Sequence, residues 1–337
     1  MARIIISEEC NISCHYCVAN ELFVEKKKKN PQASRYMDLE EFKEIVDFVI
    51  KTRNSIQISG GEPSLHPQIE KILDYVIRNE KVEEVSFLTN GIAIEKVINQ
   101  LCHPKMKLGV SLNSPNSIGE EKYKKIIDNL DELYFKRYND RFGLSINMYK
   151  GFDYDYILKA LKRYKQKAVG TSLVLPNSEK ERKSSFLQYC REMKEEILSF
   201  FEKLYKIKVR PEFFLPAIPH CVYTEKEKKR LNKIRSKDEV EYKRCQPLPE
   251  FLIGKRVVRC LELLGHEKVE MNDFEDTEKI VSYYKNRYDI FTYSVPIDKE
   301  CKDCRDMDNC KCWGGCLAYR IDKINKARRV LENIYLK

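Results

Sequence analysis

The chain has 337 residues, 42% of them hydrophobic and 34% charged, which supports a sizeable core in one large or two smaller domains and excludes global disorder. Lys and Arg number 62 against 52 Asp and Glu, a formal net charge of +10. Much of that excess lies in mixed runs such as TEKEKKRLNKIRSKDEVEYK, which read as solvated helix surface rather than a nucleic-acid footprint. EKKKKN (25–30) reads as an exposed loop or helix end.

No run of about 18 apolar residues is present, so no membrane span is expected. Met1 is followed directly by ARIIIS, too short and too early for an export signal. Thirteen cysteines without such a signal point to a reducing cytoplasm, where clustered thiols hold metal more often than they form disulfides.

In chain order, RIIIS (3–7), SIQIS (55–59), EEVSFLTN (83–90), LGVSLN (108–113), GLSINM (143–148) and GTSLVL (170–175) are short, apolar and rich in β-branched residues, and each predicts a strand. Helical patterns lie between them. Asp38 and Glu41 form a capping box ahead of FKEIVDFVI, and Pro67 suits the first turn of PQIEKILDYVIRN. EEKYKKIIDNLDELY and YDYILKALKRY complete the set. Strands alternating with helices predict an α/β fold of parallel βα units, as a partial barrel or an open sheet. A long helix over 179–205 and a strand in KVRPEFFL follow. The rest is cysteine-rich and irregular, with LAYRIDKINKARRVLENIYLK reading as a capping helix, so domains of 1–215 and 216–337 are expected.

Each loop after a predicted strand emerges on one rim of such a fold. After the first strand stands CNISCHYC, whose Cys10, Cys14 and Cys17 follow a C-x3-C-x2-C spacing. A complete structural metal site uses four ligands; three thiolates suit a four-iron cluster with one iron left for a small molecule. The alternative is a zinc site completed by His15 or Cys102. SGGEP follows the second strand: Gly60 and Gly61 allow close approach of backbone to a ligand, Glu62 offers a carboxylate to an ammonium group, and Pro63 stiffens the turn. Asn90 in TNG follows the third strand, and Ser111 and Asn113 in SLNSP follow the fourth, where short polar side chains suit ribose hydroxyls.

C-x3-C-x2-C after strand one, with GGEP after strand two, resembles the radical S-adenosylmethionine (SAM) superfamily over about residues 1–215. The resemblance implies a partial (β/α)6 TIM-like barrel in which Cys10, Cys14 and Cys17 ligate three irons of a [4Fe–4S] cluster and SAM chelates the fourth. It further implies that an electron from the cluster breaks a carbon–sulfur bond of SAM, leaving a 5′-deoxyadenosyl radical that abstracts a hydrogen. On the same resemblance Tyr16 packs the adenine and Asn147 contacts SAM.

The tail CKDCRDMDNCKCWGGC carries Cys301, Cys304, Cys310, Cys312 and Cys316, with Cys221, Cys245 and Cys260 upstream and Gly254 between the last two. This resembles the SPASM/Twitch extension of radical SAM enzymes, which holds one or two auxiliary [4Fe–4S] clusters. The pattern departs from the family in an additional cysteine near the motif's end and in the absence of any cysteine after Cys316. Eight thiols match two four-thiolate clusters, with Cys221 able to supply the missing ligand; one cluster, or a zinc site, is the alternative, and the pairing stays open. Cys102 and Cys190 read as core packing, and Trp313 as a shield against water.

The resemblance favours a peptide maturase that forms a crosslink, an oxidised side chain or an epimer, with a flavodoxin or ferredoxin as electron donor. A small-molecule radical SAM enzyme is the alternative, and a metal-stapled nucleic-acid-binding protein a distant one. With strand one read from the first residues, no leader-binding module is expected ahead of it, and recognition of a leader peptide is expected to use the barrel mouth, the basic helical surface or a separate protein.

Overall fold

The computed structural model describes residues 2–17, 19–136, 142–175, 185–213, 218–235, 247–289, 291, 295–308, 312, 314–321 and 323–324. Cys245, Cys310, Trp313, the start of the predicted long helix and most of the predicted terminal helix lie outside them.

Seven strands pair in chain order, all parallel: β1 (Ala2–Ser7), β2 (Ser55–Gly60), β3 (Glu84–Thr89), β4 (Met106–Ser111), β5 (Phe142–Met148), β6 (Ala168–Leu173) and β7 (Arg210–Phe213). The helices among them are α1 (Asn20–Lys29), α2 (Leu39–Val49), α3 (Ile69–Arg78), α4 (Ile98–Leu101), α5 (Pro115–Ile118), α6 (Glu120–Phe135), α7 (Asp155–Arg163) and α8 (Phe186–Lys206). The six predicted strands thus form within two residues of their expected ends, and KVRPEFFL supplies β7. Among the described residues no helix is long and apolar enough to cross a membrane.

Period-two alternation divides the sheet into two faces. Ile4, Ile6, Ile56, Ile58, Val85, Phe87, Leu108, Val110, Leu144 and Ile146 enter the main core with Phe42, Ile45 and Val46 of α2 and Ile72 and Leu73 of α3. A fully buried ring such as Phe42 contributes about 3–5 kcal/mol by comparison with Ala. The opposite face carries half-buried Arg3, Gln57, Ser86, Ser111, Ser145 and Asn147, a polar floor. Arg3, Gln57 and Ser86 stand in register across β1–β3, and Ser111 is level with Ser145. Arg3 Nε donates to Gln57 at 2.5 Å, and the two serine hydroxyls are 3.2 Å apart.

The cysteine-rich region continues this sheet. β8 (Glu250–Leu252) adds parallel to the free edge of β1, and β9 (Arg256–Val258) and β10 (Val269–Glu270) follow antiparallel, so β7 and β10 are the two edges and the described sheet stays open. The helices α9 (Glu225–Arg235) and α10 (Thr277–Tyr284) flank these strands in sequence. Ile5, on the face opposite Ile4, joins Leu252, Val258, Leu264 and Ala19 in a second apolar cluster that also receives Cys17, Phe23 and Leu261. That is why the run Ile4–Ile6 is apolar without interruption: both faces of β1 are covered.

Two expected helix starts differ. Asp38 caps α2 by accepting from Glu40 N–H at 2.8 Å, but Glu41 does not close a capping box. Its carboxylate accepts instead from the N–H groups of Gly254 (2.6 Å) and Lys255 (2.9 Å), both at positive φ in the β8–β9 turn, where a tight reversal leaves backbone donors to satisfy. Pro67 precedes α3, which begins at Ile69, because the His66 ring accepts from Gln68 N–H at 3.0 Å and holds an extra turn there.

Candidate active site

At the end of β1 the fully buried Ser7 locks its own turn: its hydroxyl donates to Glu9 O at 3.0 Å and accepts from Glu9 N–H at 3.1 Å. The β2 loop lies directly on this turn. Gly61 N–H donates to Ser7 O at 2.7 Å and Glu62 N–H to Glu9 O at 2.8 Å. A Cβ on Gly60 would stand 2.5 Å from Ser7 O, and one on Gly61 would stand 2.4 Å from Glu9 O and 3.3 Å from Cys10 Cβ. The glycine pair is therefore demanded first by the protein's own backbone, whatever ligand lies beyond it. It presses SGGEP onto the start of the cysteine loop.

Glu62 is 1% exposed and caps the turn Pro63–Leu65. Its Oε1 accepts from Ser64 N–H (3.0 Å), Ser64 Oγ (2.6 Å) and Thr89 Oγ1 (2.7 Å), and its Oε2 from Asn90 N–H (2.7 Å). Burial raises its pKa, and these four donors work against that. The chain's own donors thus occupy the carboxylate expected to face an ammonium group, leaving about one lone pair on Oε2. What Glu62 holds is the β3 loop. Asn90, so fixed, sets its side-chain amide 2.7 Å from Asn11 Oδ1 and 3.9 Å from Cys10 Sγ.

From the other side, Asn113 accepts from the Tyr16 hydroxyl and from Cys14 Sγ at 3.7 Å, and donates to Ser111 O at 3.2 Å. The Tyr16 hydroxyl also reaches the Asn147 side chain, and burial raises its pKa. The Tyr16 ring stacks on Tyr149 with centroids 5.1 Å apart, and His15 meets both rings edge-on. Lys122 Nζ donates to Asn11 O at 2.8 Å, closing the loop's outer side.

The nine residues singled out beside the thiols are therefore gathered at one rim, around the Cys10–Cys17 loop. Sequence reasoning missed Thr89, Ser145, Gln57 and Tyr149. For Ser145 and Gln57 the signal was the alternation of polar with apolar residues inside SINM and SIQIS; no alternation marked Thr89, which lies on the face of Phe87, and nothing marked Tyr149.

Cys17 N–H donates to Cys14 O at 3.1 Å, turning the loop so that its thiols face one another. Burial pushes the Cys10 thiol up to about 11, with the charges of Glu62, Cys14 and Cys17 adding and the Ile12 N–H opposing. Cys14 is raised by burial first and then by Cys17. A polycation bound among them relieves that repulsion and takes the thiols as thiolates. Cys102 precedes β4 and stands beside Lys136 and Glu132, at the opposite end of a parallel sheet from the loop after β1. His15 is packed against two tyrosine rings. Among the described residues no three His, Cys, Asp or Glu side chains are set to hold a single metal ion. The donor set is three thiols, which fits a cluster completed by a non-protein ligand.

In the C-terminal region Cys221, Cys301, Cys304 and Cys312 lie within reach of one another's charge. Cys260 sits after β9 with Arg259 Nη1 at 3.9 Å, and Cys316 is buried in the main core. Cys190 is fully buried in that core, and Cys102 packs against it.

Residues 4–167 match the model of the Radical SAM superfamily. A probable GTP 3′,8-cyclase of Methanococcus maripaludis is 32% identical over 126 residues, 37% of this chain and 39% of its own length. A GTP 3′,8-cyclase of Clostridium botulinum is 27% identical over 125 residues, 37% of each chain. These matches thus span less than half of either relative. Streptococcus suis SuiB superposes over 94% of this chain at 17% identity, with a TM-score of 0.60 when bound to S-adenosylmethionine and 0.58 when bound to precursor peptide SuiA. Those matches cover 72% and 71% of SuiB, and at that identity they establish the fold.

Proposed function

We infer that this chain, whose residues 4–167 match the Radical SAM superfamily, modifies a ribosomally made peptide by radical chemistry. Cys10, Cys14 and Cys17 would hold the [4Fe–4S] cluster, which with SAM supplies a 5′-deoxyadenosyl radical. The remaining residues orient and shield. Gly60 and Gly61 seat the cysteine loop on SGGEP, and Glu62 and Pro63 fix the turn that positions Asn90 beside Cys10. Tyr16, Ser111, Asn113 and Asn147 form the polar and aromatic wall on the other side, suited to the ribose and adenine of SAM. The C-terminal thiols hold auxiliary iron–sulfur clusters in a SPASM/Twitch-like region, and a flavodoxin or ferredoxin supplies electrons.

One observation carries the peptide reading: the likeness to SuiB runs through 94% of the chain, including the C-terminal region, whereas the cyclase match covers 37% of it. The small-molecule reading rests on that cyclase match. One experiment separates them. The reconstituted, reduced protein is given SAM with either the peptide encoded beside its gene or GTP. Peptide-stimulated 5′-deoxyadenosine, with loss of a hydrogen pair from the peptide or an epimer resolved by retention time, supports the first reading. Consumption of GTP with an unchanged peptide overturns it.

A further inference from the structure

The Cys10–Cys17 loop is tied shut by ion pairs between its two ends. Glu8 and Glu9 follow β1 directly and stand just before Cys10, while Lys26 and Lys27 lie on α1, the helix that follows Cys17. Glu8 Oε1 meets Lys26 Nζ, and Glu9 Oε1 meets Lys27 Nζ at 2.8 Å. Each pair spans 18 residues, so two successive carboxylates meet two successive ammonium groups across the same loop.

The helix is patterned for this. Ala19 and Phe23 pack with Cys17 against Ile5, Leu252 and Val258. Lys26 and Lys27 lie one turn further along the same stripe, so seating the apolar part of α1 returns both to the residues that follow β1.

Glu8 carries a further load. Its side chain is 5% exposed; Oε2 meets Arg35 Nη1 at 3.0 Å, and its N–H donates to Arg35 O at 2.8 Å. The segment of Arg35 is fixed against β1 by the Ser7–Tyr36 bridge and by Met37 N–H, which donates to Ile6 O at 2.9 Å. Arg35 is 7% exposed, and its Nε and Nη2 are buried with no hydrogen-bond partner among the described residues, so its charge rests on Glu8. One buried carboxylate thus holds cations from two separate segments, and its removal strands buried positive charge. Closing the loop in this way limits how far three thiols that repel one another as thiolates can spread apart, with or without metal.

We propose that Glu8 is a positioning residue for the first cluster: with Lys26 and Arg35 it clasps the Cys10–Cys17 loop, and Glu9 with Lys27 adds an outer rung, so that the thiols are gathered before metal binds. The proposal rests on the reading of that loop as the cluster site.

The first test is hydrogen exchange of the amides of residues 10–17 in the iron-free full chain. Lys26→Met should raise their exchange several-fold while the amides of β2–β4 exchange as in the parent. Glu9→Lys and Lys27→Glu should each raise it by a smaller factor, about two- to fivefold, and the double variant should fall back towards the parent, because the pair is rebuilt with its signs exchanged. The second test uses the reconstituted, reduced chain. Glu8→Gln should keep the iron of the first cluster, yet several-fold more SAM should be needed to change that cluster's electron paramagnetic resonance signal. If Glu8→Gln fails to fold, the exchange of the other variants decides the matter. Unchanged loop exchange in Lys26→Met, a double variant that exchanges no more slowly than its singles, or a rise shared equally by β2–β4 overturns the proposal. So does a folded Glu8→Gln chain with the parent's response to SAM. A SAM-responsive signal that survives replacement of Cys10, Cys14 and Cys17 by Ala overturns instead the reading of the loop as the cluster site; the exchange results, taken without iron, do not depend on it.

Discussion

The two thiol-bearing regions are assembled in contrasting ways. The first takes Cys10, Cys14 and Cys17 from a single turn, held by backbone bonds from Gly61 and Glu62 and by a Cys17–Cys14 backbone contact. The second region carries Cys221, Cys301, Cys304 and Cys312 on three segments far apart in sequence, which dock on α8. In the first, the barrel builds the loop and the thiols follow. In the second, long stretches of chain must be closed before the thiols can meet. A bound cluster therefore crosslinks far more chain entropy in the second region than in the first. The first site should depend on its scaffold, and the second region's fold should depend on its metal.

The largest expected effect separates chemistry from folding. Replacing Cys10, Cys14 and Cys17 together by Ala should abolish 5′-deoxyadenosine formation while auxiliary iron and the melting temperature of the barrel stay close to those of the parent. Residual SAM cleavage by this variant would show that the loop is not the site.

Removing all iron tests the other half of the comparison. Limited proteolysis of the metal-free chain should cut within 216–337 well before 1–215, because most of the side chains in the core that the two regions share come from the first. Equal rates in both regions would mean that metal does not hold the second region together.

A pair of glycine substitutions should cross over. Gly61→Ala drives a Cβ against Glu9 O, a backbone atom that cannot swing aside, and should lose the first cluster while auxiliary iron persists. Gly315→Ala drives a Cβ against Phe186 at a φ of +96°, and should lose auxiliary iron while the first cluster persists. Each carries a local cost on the order of 2–3 kcal/mol. Loss of both irons in either variant would mean that the two regions are not independent.

The smallest effect belongs to Glu62→Gln. The replacement keeps one oxygen for Ser64 and Thr89 but turns an amide group toward Asn90 N–H, leaving that buried donor without its acceptor at about 1–3 kcal/mol. Iron content should hold while KM for SAM rises several-fold. An unchanged KM with lowered stability would confine Glu62 to folding.

Several features were legible because short-range physics sets them. Apolar runs of five to eight residues between amphipathic stretches marked all six first strands, since a parallel strand needs cover on its faces and a helix needs a stripe. The order of those elements along the chain placed CNISCHYC, SGGEP, TNG and SLNSP on one rim, because every parallel strand ends at the same side. Glu41 was a different matter. Its spacing from Asp38 was right for a capping box, yet two N–H groups of a turn more than 200 residues away claimed its carboxylate.

The sequence by itself therefore determined the parallel sheet, the rim and the three clustered thiols of the first loop. Only the tertiary structure decided what the glycines press against, which groups occupy Glu62, and that β8 pairs with β1. Each of those depends on contacts between segments far apart in sequence. Residue spacing carries no record of such contacts; they arise when α8 and the edge of β1 offer surfaces on which the later segments can dock.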